Sequence, residues 1–153
     1  MGWIIFCALS WGIALAAVPR RHWRTLWPAG LIALATIYAI DSTLISLGAY
    51  VYSPHGPAAA GIPVLYLLSG FANGITLTSF NPRRHIYRLP YVMLVAGVFL
   101  LAEWVMIRVG YFCYLRWSYW RSFLLDLAGF AFVLWLAEAL GVQRGGAPFP
   151  ERI

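Results

Sequence analysis

Charged residues are scarce in this 153-residue sequence, because only 10% of its residues are charged whereas 62% are hydrophobic. So few polar residues could not cover the surface of a water-soluble core, which excludes the ordinary soluble classes of protein. Lysine is missing altogether, and all 11 basic residues are arginine. The sequence therefore predicts an integral membrane protein. Its net charge of +6 is interpreted as a topology signal and not as a nucleic-acid-binding surface.

Cysteine and histidine are scarce as well. Cys7 and Cys113 are too few and too far apart in sequence for a zinc site or a disulfide framework. Both lie towards the same side of the predicted membrane, so one alternative is a single disulfide between them. The other alternative is that each cysteine fills space as a small apolar residue. His22, His55 and His85 all fall in loops, so no pair of histidines is placed to ligate a haem between helices. The sequence predicts no metal site and no cofactor.

Five apolar runs have about the length of a membrane span, given that roughly 20 helical residues cross a bilayer. Lipid offers no hydrogen bonds to the backbone, so each run is predicted to be a helix. Short connections with proline, glycine or arginine favour one compact bundle of antiparallel neighbours. The predicted fold class is all-α, a five-span transmembrane domain over residues 1–142 followed by a short mobile tail over 143–153. The runs are 3–18, 26–52, 58–80, 89–112 and 119–140.

The loop arginines predict the orientation of the bundle. The side with more arginine in its short loops is expected to be cytoplasmic, which places the amino terminus outside and the carboxyl terminus inside. Because arginines follow the first apolar run, that run is expected to remain in the membrane and not to be cleaved as a signal peptide. The inner set is Arg20, Arg21, Arg24, Arg83, Arg84, Arg88, Arg144 and Arg152, and the outer set is Arg108, Arg116 and Arg121.

Three carboxylates, Asp41, Glu103 and Asp126, lie inside apolar runs. Counted from the outer ends of those runs, all three lie roughly 10 to 17 Å below the outer surface. An ionisable group in a membrane span costs about 2.5 to 3.5 kcal/mol at the helix centre, so it normally faces a partner or a wet cavity. Helical spacing places Ser122 on the face that carries Asp126. The sequence thus predicts an acidic cluster in the outer half of the bundle.

Structural and functional roles both remain open for this cluster. As structural groups, the acids would be neutral and hydrogen-bonded across helix interfaces, or paired with an outer arginine. As a functional site, they would hold a small polar or cationic ligand, a lipid headgroup or a proton, with two arginines at the rim. Those arginines alternatively snorkel to outer-leaflet phosphates. The candidate ligand-binding residues are Asp41, Asn73, Glu103, Arg116, Arg121, Ser122 and Asp126.

Two further polar side chains have structural interpretations. Asn73 lies between Gly70 and Gly74, a face of small residues that is typical of helix packing, and its amide is expected to hydrogen-bond between helices or to reach a central cavity. Glu138 lies near the inner end of the last run, where we expect it to snorkel to water or to Arg144.

The order of several aromatic-rich motifs carries a resemblance. Trp23-Arg24-x-x-Trp27-Pro28 precedes the run with Asp41, and Asn81-Pro82 follows the third run. Glu103 is then followed by Gly110, Tyr114, Trp117, Ser122 and Asp126. Over residues 21–136 this order resembles a family of small uncharacterised multi-span integral membrane proteins from spore-forming Gram-positive bacteria. The resemblance implies a helical bundle in the bacterial cytoplasmic (inner) membrane and brings no activity with it.

Three classes of function follow from these features. The sequence favours a non-enzymatic protein that binds, or helps to transport, a ligand at the acidic cluster. The second class is a non-catalytic subunit of a larger membrane complex, or a homo-oligomer, because a five-helix bundle leaves many faces exposed. The third is a membrane enzyme acting on a lipid or isoprenoid substrate with Glu103 as proton donor, although no metal-binding motif, nucleophile elbow or phosphate-binding loop accompanies it. The predicted partners are the bilayer, a lipid or small molecule, and another membrane protein, but no nucleic acid.

Overall fold

The computed structural model describes residues 1–53 and 56–142, and 74% of it is helical. His55 and the predicted tail over 143–153 therefore lie outside the described residues. Five α-helices form the bundle. They are α1 Gly2–Ala17, α2 Arg20–Ser46, α3 Val64–Ser79, α4 Arg88–Arg108 and α5 Tyr119–Ala139.

Three of these helices, α2, α4 and α5, are long and apolar enough to cross a membrane. The other two, α1 and α3, are apolar but have only 16 residues each. At 1.5 Å per residue such a helix covers about 24 Å, which is less than the hydrocarbon core of about 30 Å. The fold therefore has the character of a membrane protein, with three helices of spanning length.

Two small antiparallel sheets were missed by the all-α prediction. Strand β1, Tyr50–Tyr52, pairs with β4, Phe112–Tyr114, and Val51 lies opposite Cys113 in the register. Strand β2, Ala58–Ala59, pairs with β3, Ile62–Pro63, just before α3. The sequence analysis predicted helix through both sheets. A short run of apolar residues is consistent with a strand or with a helix, so hydropathy alone does not separate the two.

Glycines end α2 and α4 earlier than the apolar runs do. Gly48 and Gly110 have φ angles of 70° and 79°, a left-handed conformation that side chains disfavour and that ends a helix. At the end of α2 the Ala49 N–H donates to the carbonyl of Leu44, 3.0 Å away, which turns the chain back over the helix. Each helix is therefore followed directly by a strand of the same sheet.

The two ends of the bundle differ in composition. The end with β1 and β4 is called the strand end below. The opposite end contains the turn between α1 and α2, the connection between α3 and α4, and the end of α5, and it is called the arginine-rich end. Its arginines within the described residues are Arg20, Arg21, Arg24, Arg83, Arg84 and Arg88.

Helices α2 and α3 approach closely through small residues. A Cβ atom added at Gly74 would meet the Cβ of Ala33 and lie 2.7 Å from the carbonyl oxygen of Ala29. A Cβ added at Gly70 would meet the side chain of Ile37. The face of small residues predicted from the sequence is therefore a real helix contact. Both cysteines, in contrast, are free, so the disulfide left open above is not formed.

Candidate functional site

Asp41 is held by two phenol groups that fold back over the end of α2. The hydroxyl of Tyr50 donates to Oδ1 at 2.6 Å, and the hydroxyl of Tyr52 donates to Oδ2 at 2.7 Å. Alternate residues of a strand share one face, so β1 presents both phenols to the same carboxyl group. Burial, with the Asp41 carboxylate nearby, raises the pKa of Tyr50 and Tyr52 above the usual range, so both remain donors at neutral pH.

Glu103 belongs to a second network that is centred on Ser122. The Ser122 hydroxyl donates to Oε1 of Glu103 at 2.9 Å and accepts from the Tyr114 hydroxyl at 3.0 Å and from the indole N–H of Trp117 at 2.9 Å. Burial, followed by the nearby Glu103 carboxylate, raises the pKa of Tyr114, which keeps this phenol protonated. The Ser122 hydroxyl thus fixes one side of the Glu103 carboxyl group through a fully used set of hydrogen bonds.

Asp126 differs from the other two acids. Within residues 1–53 and 56–142 its carboxyl group has neither a hydrogen-bond donor nor an ion-pair partner. Electrostatic interactions connect it to Glu103 and Asp41. Asp126 is therefore the one of these three acids whose carboxyl group has no hydrogen-bond partner among the described residues.

Two cavities meet at Asp126. The central cavity, about 140 Å³, lies among α2, α3, α4 and α5, with Asp41 and Asn73 in its wall. The aromatic pocket, about 70 Å³, has Glu103 and Ser122 in its wall. Asp126 lines both spaces. The aromatic side chains of the pocket are Trp3, Phe6, Tyr52, Tyr66, Phe99 and Phe112.

The three acids lie at similar distances from the strand-end termini of their helices, and Asp41 and Glu103 lie nearer to those termini than expected. Asp41 and Glu103 lie five residues before the ends of α2 and α4, at Ser46 and Arg108, which is about 8 Å of helix. Asp126 lies seven residues after the start of α5, about 10 Å along the helix. The earlier helix ends account for the difference at Asp41 and Glu103, because Tyr52 and Phe112 lie in strands, whereas Asp126 lies at the expected distance from Tyr119.

The three arginines that were predicted to lie on the outer side form no ion pair with the three acids in the described residues. Arg116 and Arg121 are exposed, and Arg121 donates to the carbonyl oxygen of Arg116 at 3.2 Å while its guanidinium lies 5.9 Å from the ring centre of Trp117. Arg108 lies 5.2 Å from the ring centre of Trp104. None of them lines the central cavity or the aromatic pocket. The alternative in which the acids pair with these arginines is not found in the described part of the chain, and Arg116 and Arg121 are separate from the other candidates.

Asn73 lines the central cavity, as one of its two interpretations expected. The neighbouring hydroxyls of Thr36 and Thr76 bond to the carbonyls of Ile32 and Ala72 in their own helices, at 2.7 and 3.0 Å. The Asn73 amide forms no such bond with the described residues, so the expected interhelical hydrogen bond is absent there. Asn73 therefore adds a polar group to the middle of the cavity wall.

Glu138 has partners that were not predicted. Its Oε1 lies 2.6 Å from Nη2 of Arg88, and Asn81 donates to the same oxygen at 3.0 Å. The expected contact with Arg144 falls outside the described residues. The exposed fractions of the Arg88 and Glu138 side chains are 27% and 23%, so this ion pair is half-buried at the arginine-rich end.

The sequence did not single out Tyr50 and Tyr52 as site residues. The only local signal was the tyrosine at every second position, which is typical of a strand face. No family model, no curated protein and no solved structure matches the chain. Among the described residues no three histidine, cysteine or acidic side chains are grouped to hold a metal ion.

Proposed function

We propose that this protein binds a small organic cation in the acidic cavities near the strand end. The observation that carries the proposal is the carboxyl group of Asp126, which has no partner in the described structure and lines both cavities. Unpaired acids of one sign are unfavourable in an apolar interior. A bound cation would supply the missing charge between Asp126, Glu103 and Asp41.

The aromatic walls favour an alkylated ammonium group over a metal ion. Aromatic faces attract organic cations by about 0.5 to 2 kcal/mol, and several rings around one cation form a cage for quaternary ammonium groups. Calcium, in contrast, takes about six to eight oxygen ligands, which this apolar pocket does not provide. The central cavity of about 140 Å³ offers space for the remainder of such a ligand, since a cavity of about 150 Å³ holds one benzene molecule.

Trp3 suggests a second polar feature of the ligand. It lines the aromatic pocket, its side chain is only 4% exposed, and its indole N–H has no acceptor in the described residues. A buried donor without a partner is destabilising by about 1 to 3 kcal/mol. An ammonium compound that also carries a hydroxyl group would satisfy this donor.

The cavities support binding more directly than passage across the membrane. Leu77 and Val133, in the wall of the central cavity, belong to a packed apolar cluster, and Leu26 and Ile75 belong to another that continues to the arginine-rich end. These packed layers give no support to a continuous polar path through the described structure. We therefore infer a binding role for the acidic site.

Choline binding tests this function, because choline combines a quaternary ammonium group with a hydroxyl group. We expect isothermal titration calorimetry on the purified chain in mild detergent to show choline binding, and Asp126→Asn to weaken it at least about tenfold, since removing one partner of a buried charge pair costs about 3 to 5 kcal/mol.

Two controls make this experiment decisive. Glu138→Gln changes an acid at the opposite end of the bundle and should leave choline affinity unchanged. The neutral analogue of choline, with carbon in place of nitrogen, should bind far more weakly. Equal affinity of the parent chain for choline and its neutral analogue would contradict the proposal. A protein that copurifies with the chain while choline does not bind would favour the subunit hypothesis instead.

We propose further that all five helices span a bacterial cytoplasmic membrane, with the strand end outside. The support is the excess of arginine at the opposite end, which the positive-inside rule places in the cytoplasm. Helices α1 and α3 are short, but local thinning of the bilayer accommodates such helices at modest cost. In this orientation the acidic cavities lie in the outer half of the membrane.

The native Cys113 provides a test of this orientation, because it is exposed at the strand end. In a Cys7→Ala background, we expect a maleimide that cannot cross membranes to label Cys113 in intact cells. In a chain without native cysteines, Arg84→Cys should be protected until the cells are opened. The reverse pattern would show that the strand end faces the cytoplasm.

A further inference from the structure

A second polar cavity lies at the arginine-rich end, far along the bundle from the acidic cavities. It has a volume of about 100 Å³ and is lined by residues from the end of α3, the following loop, and the ends of α4 and α5. The side chains that matter for its chemistry are Thr78, Asn81, Arg83, Arg88 and Glu138. We refer to it as the arginine cavity.

Thr78 has an unsatisfied hydroxyl in this cavity wall. The residue is 5% exposed, and its Oγ1 has no hydrogen-bond partner within the described ranges. Threonine and serine hydroxyls inside helices usually bond to the carbonyl four residues earlier, as Thr76 and Ser69 do here. The Thr78 hydroxyl does not make this bond, so a residue of the cavity wall carries an unused donor.

The charge balance of the arginine cavity is positive. Glu138 is neutralised by Arg88 and is bonded to Asn81, so it has little remaining capacity to repel an anion. Arg83 is exposed at the mouth and has no ion-pair partner in the described residues. Arg88 also donates through Nε to the carbonyl of Pro82 at 3.3 Å, which fixes its guanidinium in place. The cavity therefore offers one net positive charge and several N–H and O–H donors, which suits a phosphate diester.

An apolar groove begins at the same ion pair. It lies between α4 and α5, has a volume of about 420 Å³, and shares Arg88 and Glu138 with the arginine cavity. Small residues, Ala128 and Ala131, leave space along α5, and Trp135 forms part of its wall with a 62% exposed side chain. A groove of this kind on a membrane-spanning surface is suited to an acyl chain, because its walls are apolar.

We infer that a glycerophospholipid binds at the arginine-rich end, with its phosphate in the arginine cavity and one acyl chain in the groove. Arg83, the Thr78 hydroxyl and the remaining N–H groups of Arg88 contact the phosphate oxygens. Continuity of the polar cavity with the apolar groove through Arg88 and Glu138 selects a lipid over a free anion. This site shares no residue with the proposed cation site, and the two proposals stand or fall separately.

Native mass spectrometry of the delipidated full chain tests the inference. We expect phosphatidylglycerol to bind with one lipid per chain, and diacylglycerol with the same acyl chains, which lacks the phosphate, to bind at least about tenfold more weakly. Arg83→Gln should weaken phosphatidylglycerol binding about tenfold, while the neighbouring exposed Arg84→Gln should change it less than about twofold. Thr78→Val should also weaken binding of phosphatidylglycerol.

The groove has its own pair of variants. Ala131→Phe fills the groove and should weaken phosphatidylglycerol binding, whereas Ala139→Phe lies outside the groove and should not. Equal losses for Arg83→Gln and Arg84→Gln would overturn the site in favour of a diffuse basic surface. Displacement of the lipid by inorganic phosphate together with no effect of Ala131→Phe would overturn the lipid assignment. Circular dichroism and thermal midpoints identify any variant that fails to fold, and Arg83→Gln at the exposed mouth is expected to fold normally.

Discussion

Removal of both phenol hydroxyls from Asp41, by Tyr50→Phe and Tyr52→Phe in one chain, is expected to lower the free energy of unfolding by roughly 3 to 5 kcal/mol. Asp41 is only 6% exposed, and these phenols are its hydrogen-bond donors in the described structure. Without them a buried carboxyl group is left unsatisfied, and each lost bond to a charged group contributes about 1.5 to 3 kcal/mol. Detergent-to-SDS unfolding, followed by circular dichroism, measures the change.

The two hydrogen bonds from Tyr50 and Tyr52 to Asp41 are called the clamp. The same tyrosine substitutions in an Asp41→Ala background separate the contribution of the clamp from that of general packing. Once the carboxyl group is gone, the phenols lose their acceptor, so their replacement by phenylalanine should be neutral or slightly stabilising. Tyr38→Phe is a matched control on α2, because Tyr38 is 43% exposed, and it should change the free energy by less than about 0.5 kcal/mol. A double Phe variant that is equally destabilised with and without Asp41 would rule out the hydrogen-bonded clamp.

Addition of a single methyl group at Gly74 has the second largest expected effect. Gly74→Ala should destabilise the bundle by about 2 to 3 kcal/mol, because the new Cβ would meet Ala33 and lie 2.7 Å from the backbone oxygen of Ala29. Backbone atoms cannot move aside as a flexible side chain does, so α2 and α3 must separate. The central cavity lies beside this contact, and its shape should change with the helix spacing.

Gly97→Ala is the matched control for Gly74→Ala. Gly97 lies within α4, and a Cβ atom added there has no neighbour within 4 Å. Alanine is favoured over glycine inside a helix by about 1 kcal/mol, so Gly97→Ala should be neutral or stabilising. The midpoint of SDS unfolding compares the two variants directly. If Gly74→Ala unfolds at the same midpoint as Gly97→Ala, the close approach of α2 and α3 does not exist in solution.

The clamp and the helix contact connect stability to the proposed binding site. Both fix the position of Asp41 relative to Asp126, because Asp41 lies on α2 and the central cavity is bounded by α2, α3, α4 and α5. Asp126 alone keeps its carboxyl group directed to open space without a partner among the described residues. A site with two fixed acids and one unpaired acid is suited to hold a positive ligand at a defined place.

The membrane character of the chain, its five helices and the common level of the three acids followed from the sequence. These properties depend on local composition and on a repeat of 3.6 residues per turn, so an isolated segment already carries them. The sequence also predicted that the helix face with Gly74 packs against a neighbour, because Gly70 and Gly74 are spaced four residues apart on that face.

The partners of the acids were decided by the tertiary structure. Tyr50 and Tyr52 reach Asp41 because Gly48 turns the chain back and β1 pairs with β4, some sixty residues away in sequence. Arg108 lies against an aromatic ring, Arg121 donates to a backbone carbonyl, and Glu138 forms an ion pair with Arg88 on another helix. Such pairings depend on strand register and helix packing over long sequence distances. Local periodicity contains neither, so the sequence located the acids in the bundle and only the fold decided which of them stayed unpaired.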